Sequence, residues 1–384
     1  MSSLLDKLRA AKPIASSVKP AETQCYTLET RVENLSQQVH TLSAEVVRLL
    51  QGIDVEKNIA IEDVLFIDTE TTGLSGGAGT LAFLTGCGRF TKEGFLVRQY
   101  LMRDYPEENS MLQRVIEEIN SAHLLVSFNG ASFDIPLLQS RFIMHRLNQK
   151  TVFPPHVDLL HTARRVYKLR IGSCSLTAIE KEIFHEERND DLPGSRVPEQ
   201  YFRFLKTGDM ALMEPILEHN RQDIVSLARL TMQMARLHEE PLSALHQEDL
   251  FSLGRVMEKR GRKETAKNCY RAVGRGKVLL PALTHLAKMC EREQESQEAI
   301  DLYEKARRLP DVDPLVYIAL AKIYEHRLKQ YDRALDIAKR GMVYCLERFD
   351  LNERKQQEYF QDLSHRCKRL TRKMEDHHGD HERF

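Results

Sequence analysis

Asp68 and Glu70 stand at i and i+2 in the run Phe66-Ile67-Asp68-Thr69-Glu70, directly after the apolar stretch of a buried strand. Side chains two apart on a strand share a face, so these carboxylates lie a few ångströms from each other and repel. A divalent cation such as Mg²⁺ or Mn²⁺ beside them reverses that electrostatic balance; a solvated acidic strand end is the alternative. Two further acids follow in order: Asp134 in NGASFD, between an apolar strand and a helix, and Asp223 in HNRQD, one helical turn after His219. Taken singly, Asp134 suits a helix N-cap and His219 a surface position. Taken together, Asp68, Glu70, Asp134 and Asp223, on strand, strand, helix start and late helix, are the set expected of a two-metal centre that cleaves phosphodiesters.

Those four acids in that order resemble the DEDD 3′-5′ exonuclease group of the ribonuclease H-like superfamily. The segments DTETTGLSGGAGTLAFLTGCGRF, VRQYLMRD, SFNGASFDIPLLQSRFIM, HVDLLHTARR, CSLTAIEKEI and HNRQDIVSLARL narrow the resemblance to the YprB-type ribonuclease H-like domain of bacteria, over about residues 60–237. The resemblance implies a 3′-5′ exonuclease acting on DNA or RNA with two divalent metal ions, Mg²⁺ or Mn²⁺. It assigns Asp68, Glu70 and Asp223 to the first ion, and Asp68 and, partly through water, Asp134 to the second, the ions standing about 3.5–4 Å apart. It gives His219 the task of orienting or deprotonating the attacking water, which suits a group of unperturbed pKa about 6.5. His219 stands four residues before Asp223. Tyrosine-type relatives carry their Tyr at that spacing, whereas histidine-type relatives carry the His one residue further away. Four residues are one helical turn, so the ring still faces the acids. The resemblance also brings the backbone of Thr71 and Thr72 to the terminal nucleotide and Leu74 against the last base, with Asn129 hydrogen-bonding the substrate. On the residues alone, TTGLSGGAGT equally fits a tight hairpin with positive-φ glycines, and Asn129 a loop-holding role.

Fifty-six Lys plus Arg balance 56 Asp plus Glu, so the chain has no global field for nucleic acid and any phosphate contacts must be local. Arg141, His145, Arg146 and Lys150, then Arg164, Arg165, Lys168 and Arg170, flank Asp158 at the end of a short strand. A nucleic-acid groove including Arg164 and Arg165 is the reading preferred over solvated helix faces. The basic run at 366–373 reads as a soluble tail.

The elements that must hold these residues can be read in turn. VLFIDT, LAFLTGCGRF and GFLVRQYLM form an antiparallel meander, and HLLVSF and HVDLL are further strands separated by helices. The expected class is therefore α/β, a ribonuclease H-like mixed five-stranded sheet with flanking helices, followed by an all-α helical-repeat domain. The expected division is a flexible segment over 1–24, a strand-helix lead-in over 25–60, the exonuclease domain over 61–240, and repeats with a capping helix and tail over 245–384. Leu28, Val32, Leu35, Val39, Leu42, Val46 and Leu49 also fit a heptad, but the alternation in CYTLETRV favours a strand near 25–32 and a helix ending at Gly52.

Leu253-Gly254, Leu286-Ala287 and Leu320-Ala321 recur at intervals of 33 and 34 residues, aligned with Ala266, Ala299 and, after a one-residue insertion in the third repeat, Ala334, and with Tyr270 and Tyr303. This resembles tetratricopeptide repeats without their leading Trp, and implies a surface for a protein partner. Seven scattered cysteines without a C-x-x-C pair argue against a disulfide framework or a zinc module. No signal-peptide core or apolar run of about 18 residues is present, so a cytoplasmic protein with no membrane partner is expected. The competing function is a catalytically idle scaffold of the same fold, binding nucleic acid or recruiting proteins through the repeats; four intact acids favour the enzyme.

Overall fold

The computed structural model describes residues 24–32, 35, 39–73, 79–188, 192–347 and 353–381. They fall into two compact units, each drawing on separated stretches of sequence. The first takes in the chain up to Ala44, Val55–Leu159 and Phe184–Met232; the second takes in Glu45–Asp54, Leu160–Ile183 and the chain from Gln233 onward.

The first unit is built on β1 (Tyr26–Val32), β4 (Val64–Thr71), β5 (Ala82–Thr91), β6 (Gly94–Leu101), β7 (Leu124–Ser127) and β8 (His156–Asp158). β2 (Thr41–Leu42) and β3 (Ile59–Ala60) form a separate two-stranded pair. The main sheet runs β1-β6-β5-β4-β7-β8, so it has six strands where five were expected. The additional strand is β1, which pairs antiparallel with β6 from Tyr26↔Leu101 to Val32↔Phe95. Its alternating pattern marked a strand but not a partner; in place, it covers backbone groups of β6 that an open edge would expose. Of the heptad positions, Leu28 and Val32 therefore lie in β1, Leu42 in β2, and Val46 and Leu49 in helix α1 (Ala44–Gln51), which stops at Gly52 with φ of 81°. The remainder of that stretch, residues 33–34 and 36–38, lies outside the described residues, as does the 1–23 segment.

β4 pairs antiparallel with β5 and parallel with β7, and β7 pairs parallel with β8. Val64 to Ile67 are fully buried, as an internal strand covered on both faces requires. From Asp68 the strand turns polar and more accessible. β7 and β8 likewise end in Ser127 and Asp158, paired in register. All three parallel strands thus present polar residues at their carboxyl ends, where open α/β sheets place ligands. Helices α2 (Glu108–Asn120) and α3 (Asp134–Met144) bury Met111, Leu112, Val115, Leu138 and Phe142 in the core with Leu65, Ile67 and Leu84.

Arg141 and His145 at the end of α3 both reach Glu108, at 2.5 and 2.8 Å. α6 (Val197–Thr207) stacks Tyr201 on Phe83 with ring centroids 3.8 Å apart.

α7 (Glu214–Glu239) carries His219 and Asp223. Its approach to the sheet depends on Gly86 and Gly88. A Cβ at Gly86 would stand 2.3 Å from Asn220 Oδ1, and one at Gly88 would stand 2.4 Å from Ile224. Two residues of strand and four of helix cover nearly the same distance, about 6–7 Å, so G-x-G admits one full turn of α7.

In the second unit, α4 (Leu159–Ile171) leads to α5 (Leu176–Ile179) and a π-helical turn over Glu180–Phe184. α8 (Gln247–Lys259), α9 (Lys263–Ala272), α10 (Leu279–Arg292), α11 (Ser296–Arg307), α12 (Leu315–Lys322), α13 (Tyr331–Glu347) and α14 (Glu353–His381) follow. Their core contains the recurrent Ala266, Ala299, Ala334, Tyr270 and Tyr303, and also Leu49 of α1. Gly254 lets α9 come close, since a Cβ there would meet the Tyr270 ring at 2.7 Å.

The run 366–373, expected to be a solvated tail, lies within α14, with Leu370 buried in this core. Arg366, Arg369 and Lys373 converge on the fully buried Glu325 at 2.7–2.9 Å. No described helix is long and apolar enough to cross a membrane.

Candidate active site

Asp68 and Glu70 occupy the polar end of β4, opposite Gly86 and Leu84 of β5, with a register shift between Glu70 and Thr71. Above Gly86, Asn220 Nδ2 donates to Asp68 Oδ2 at 2.9 Å. Asn220 is held in turn by Gln99, whose Nε2 donates to Asn220 Oδ1 at 2.9 Å and to the Leu217 carbonyl at 2.7 Å. Neither amide had a signal of its own in the sequence; G-C-G, demanding a close helix, was the one pattern pointing toward them.

Asp134 begins α3 and accepts from the Thr69 backbone N–H at 3.1 Å and from the Thr69 hydroxyl. The loop before it is clamped from β8. Asp158 accepts from the N–H groups of Asn129 at 2.8 Å and Ala131 at 3.1 Å. Asn129 holds a left-handed φ of 66°, a conformation Asn tolerates better than most residues. His219 Nε2 lies 3.9 Å from Glu70 Oε1 and 3.6 Å from Asp223 Oδ2. Arg188, absent from the sequence-based set, donates to Asp223 Oδ1 and, at 3.1 Å, to His219 Nδ1. Its side chain is only 6% exposed.

These groups are electrostatically short of cations. Burial, then the charges of Asp223, Asp134 and Glu70, push the Asp68 carboxyl well above its ordinary range, against the Asn220 hydrogen bond. Burial raises Glu70 to about 8, with Asp223 and Asp134 adding to the rise while His219 and Arg188 oppose it. Burial also raises Asp134, against its hydrogen bonds from Thr69. Carboxylates gathered this way are stabilised by a hard divalent cation, and an all-oxygen acid set matches Mg²⁺ or Mn²⁺ better than zinc. Elsewhere among the described residues, Cys290, Glu295 and Glu298 bring ligand atoms within 4.8 Å of one another. Lys267 already occupies that corner, 2.7 Å from Glu295 and 2.5 Å from Glu293. The four acids of the β4 centre are spread more widely than that trio.

The expected substrate residues are placed as follows. Thr72 closes the base of its loop, its N–H donating to the Leu81 carbonyl at 2.9 Å and its hydroxyl accepting from Leu81 N–H at 3.0 Å. Thr71 donates to the Gly73 carbonyl at 2.9 Å. Leu74 lies outside the described residues. Arg164 is exposed on α4, whereas Arg165 is partly buried and donates to the Leu50 carbonyl.

A family model described as the RNase H superfamily matches residues 65–235. The protein YprB of Bacillus subtilis (strain 168) is 32% identical over 316 residues, spanning 80% of this chain and 73% of that protein. The structure of the family B DNA polymerase from the hyperthermophilic archaeon Pyrobaculum calidifontis aligns over 51% of this chain and 29% of that one, with 16% identity and a TM-score of 0.35.

Proposed function

Since this chain belongs to one family with YprB of Bacillus subtilis and its residues 65–235 match the RNase H superfamily, we propose that it is a divalent-metal-dependent 3′-5′ exonuclease acting on DNA or RNA. The observation that carries the reading is the gathering of Asp68, Glu70, Asp134 and Asp223 at the carboxyl end of β4, where burial raises Asp68, Glu70 and Asp134 and the neighbouring acids raise Asp68 and Glu70 further. Asp68, Glu70 and Asp223 would hold one ion, and Asp68 and Asp134 the second. When bound, the ions supply an acidified water and charge stabilisation for the leaving oxygen.

The chain's own residues do the rest. Asn220, fixed by Gln99, aims the Asp68 carboxylate. Thr69 aims Asp134, and Asp158 fixes the loop that delivers it. His219, facing Glu70 and Asp223, accepts the proton of the attacking water. Arg164, exposed on α4, is the better placed of the two predicted arginines to meet a phosphate, because Arg165 is committed to Leu50.

The C-terminal helices act in this reading as a tetratricopeptide-like array for a protein partner. The matching burial of Ala266, Ala299 and Ala334 supports that part. Incubating the protein with 5′- and 3′-labelled DNA and RNA oligonucleotides in Mn²⁺, Mg²⁺ or chelator tests the activity. Stepwise shortening from the 3′ end, abolished by chelator and by Asp68→Asn, is expected. Cleavage that survives both treatments, or no cleavage of any substrate, would overturn the reading.

A further inference from the structure

Arg188 touches both a proposed metal ligand, Asp223, and the proposed base, His219. A guanidinium only donates hydrogen bonds, so the contact at 3.1 Å fixes His219 Nδ1 as an acceptor. The proton of the neutral ring then sits on Nε2, the nitrogen facing Glu70 at 3.9 Å and Asp223 at 3.6 Å. A base that works toward the acids needs the opposite arrangement, a bare Nε2 with the proton on Nδ1. On the other side, the same guanidinium covers Asp223 Oδ1, an oxygen a cation would need. Buried to 6% exposure, it meets little competition from water.

We propose that Arg188 is a positioning residue acting as an internal counter-ion. In the metal-free protein it holds Asp223 and the idle tautomer of His219, and loading with a divalent cation displaces it and releases both. The tautomer change moves one proton from Nε2 to Nδ1 through solvent, with no change in net charge. This rests on the metal-dependent reading above and adds a regulatory step to it. Arg188 competes with the cation for one carboxylate, so the observed affinity is the intrinsic affinity reduced by the fraction of molecules in which Asp223 is uncovered.

Mn²⁺ binding is measured by calorimetry on the full chain for the wild type and for Arg188→Ala, Arg188→Lys and Asp68→Asn. Arg188→Ala is expected to bind Mn²⁺ roughly ten-fold more tightly than the wild type, a coupling of ordinary size. Arg188→Lys, keeping the charge but losing the two-point contact, is expected to fall between them. Unchanged or weaker binding in Arg188→Ala overturns the proposal while leaving the metal centre intact. Wild-type binding no better than that of Asp68→Asn overturns the metal reading, and this proposal with it. A second readout needs no Arg188 variant. In ¹⁵N-histidine-labelled wild type, with the His219 signals identified by their loss in His219→Ala, Nδ1 is expected to be unprotonated without metal and protonated after Mg²⁺ is added. A protonated Nδ1 in the metal-free protein overturns the proposal.

Discussion

The Asp68 carboxylate accepts from Asn220 and faces three other acids. An amide in its place keeps an acceptor for Asn220 and removes one of four repelling charges. Asp68→Asn is therefore expected to melt at the same temperature as the metal-free wild type or higher, yet to lose both hydrolysis and the stabilisation that Mn²⁺ confers. Asp223→Asn should differ, because it takes a charged partner from a buried guanidinium, and a lower metal-free melting temperature is expected. Thermal melts with and without Mn²⁺ compare the two.

For His219, replacement by Ala is expected to lower kcat/KM by roughly 10²–10⁴-fold and to flatten the rise of activity with pH, and His219→Tyr should restore part of the rate. A wild-type pH profile in His219→Ala would remove it from the reaction. Glu70 also predicts a pH dependence of stability. Its folded-state pKa, about 8, lies above the ordinary 4.5, so the folded protein holds a proton that the unfolded chain has released. Folding then takes up protons across that window, and stability falls as pH rises from about 4.5 to about 8. Metal-free melts should decline over this range, and saturating Mg²⁺ should reverse the trend.

Elements, rather than single groups, decide whether these side chains meet. Gly86→Ala would place a methyl group 2.3 Å from Asn220 Oδ1 and force α7 off β5. A destabilisation of about 1–3 kcal/mol is expected from overpacking of this kind. Because the same shift unseats the Gln99–Asn220–Asp68 chain, Mn²⁺ binding should weaken as well, whereas a remote packing defect would lower the melting temperature alone. Chemical denaturation and metal titration of the same sample separate the two.

How much of this could be read in the sequence follows from the range of the contacts. Asp68 and Glu70 were legible because a strand repeats every two residues, and His219 with Asp223 because a helix repeats nearly every four. Arg188 was not. It lies in a run of mixed charge with no apolar period, 31 residues from His219 and 35 from Asp223. Asn220 is hidden likewise, 152 residues from Asp68. The pairing of β1 with β6 was illegible for the same reason, although the strand itself was not. The basic run shows the limit of counting charges, since Arg141 and His145 close on Glu108, and Arg170 on Asp249.

At the scale of the molecule, the C-terminal unit contains segments written much earlier in the chain. Leu49 lies in its core, Thr162 donates to the Leu50 carbonyl at 3.0 Å, Arg170 pairs with Asp249 at 2.8 Å, and Lys277 reaches the Leu169 carbonyl at 2.9 Å. A fragment ending near Leu242 keeps α1 and α4 but loses Asp249, Lys277 and the helices around Leu49. It is expected to be poorly soluble or to melt well below the full chain, while co-expression with the missing C-terminal piece should recover material. A fragment as stable as the parent would mean that these contacts contribute little.

The same interleaving has a consequence for synthesis. α1 and α4 leave the ribosome long before their partners exist, and the core that receives Leu49 also needs Leu363 and Leu370 of α14. At the usual elongation rate of about 5–20 residues per second, the stretch from Gln233 to the end of that core takes roughly 7 to 28 s. Through that interval the nascent chain carries an apolar strip with nothing yet to cover it, so its yield in a cell should depend on translation speed and on chaperones that hold emerging chains.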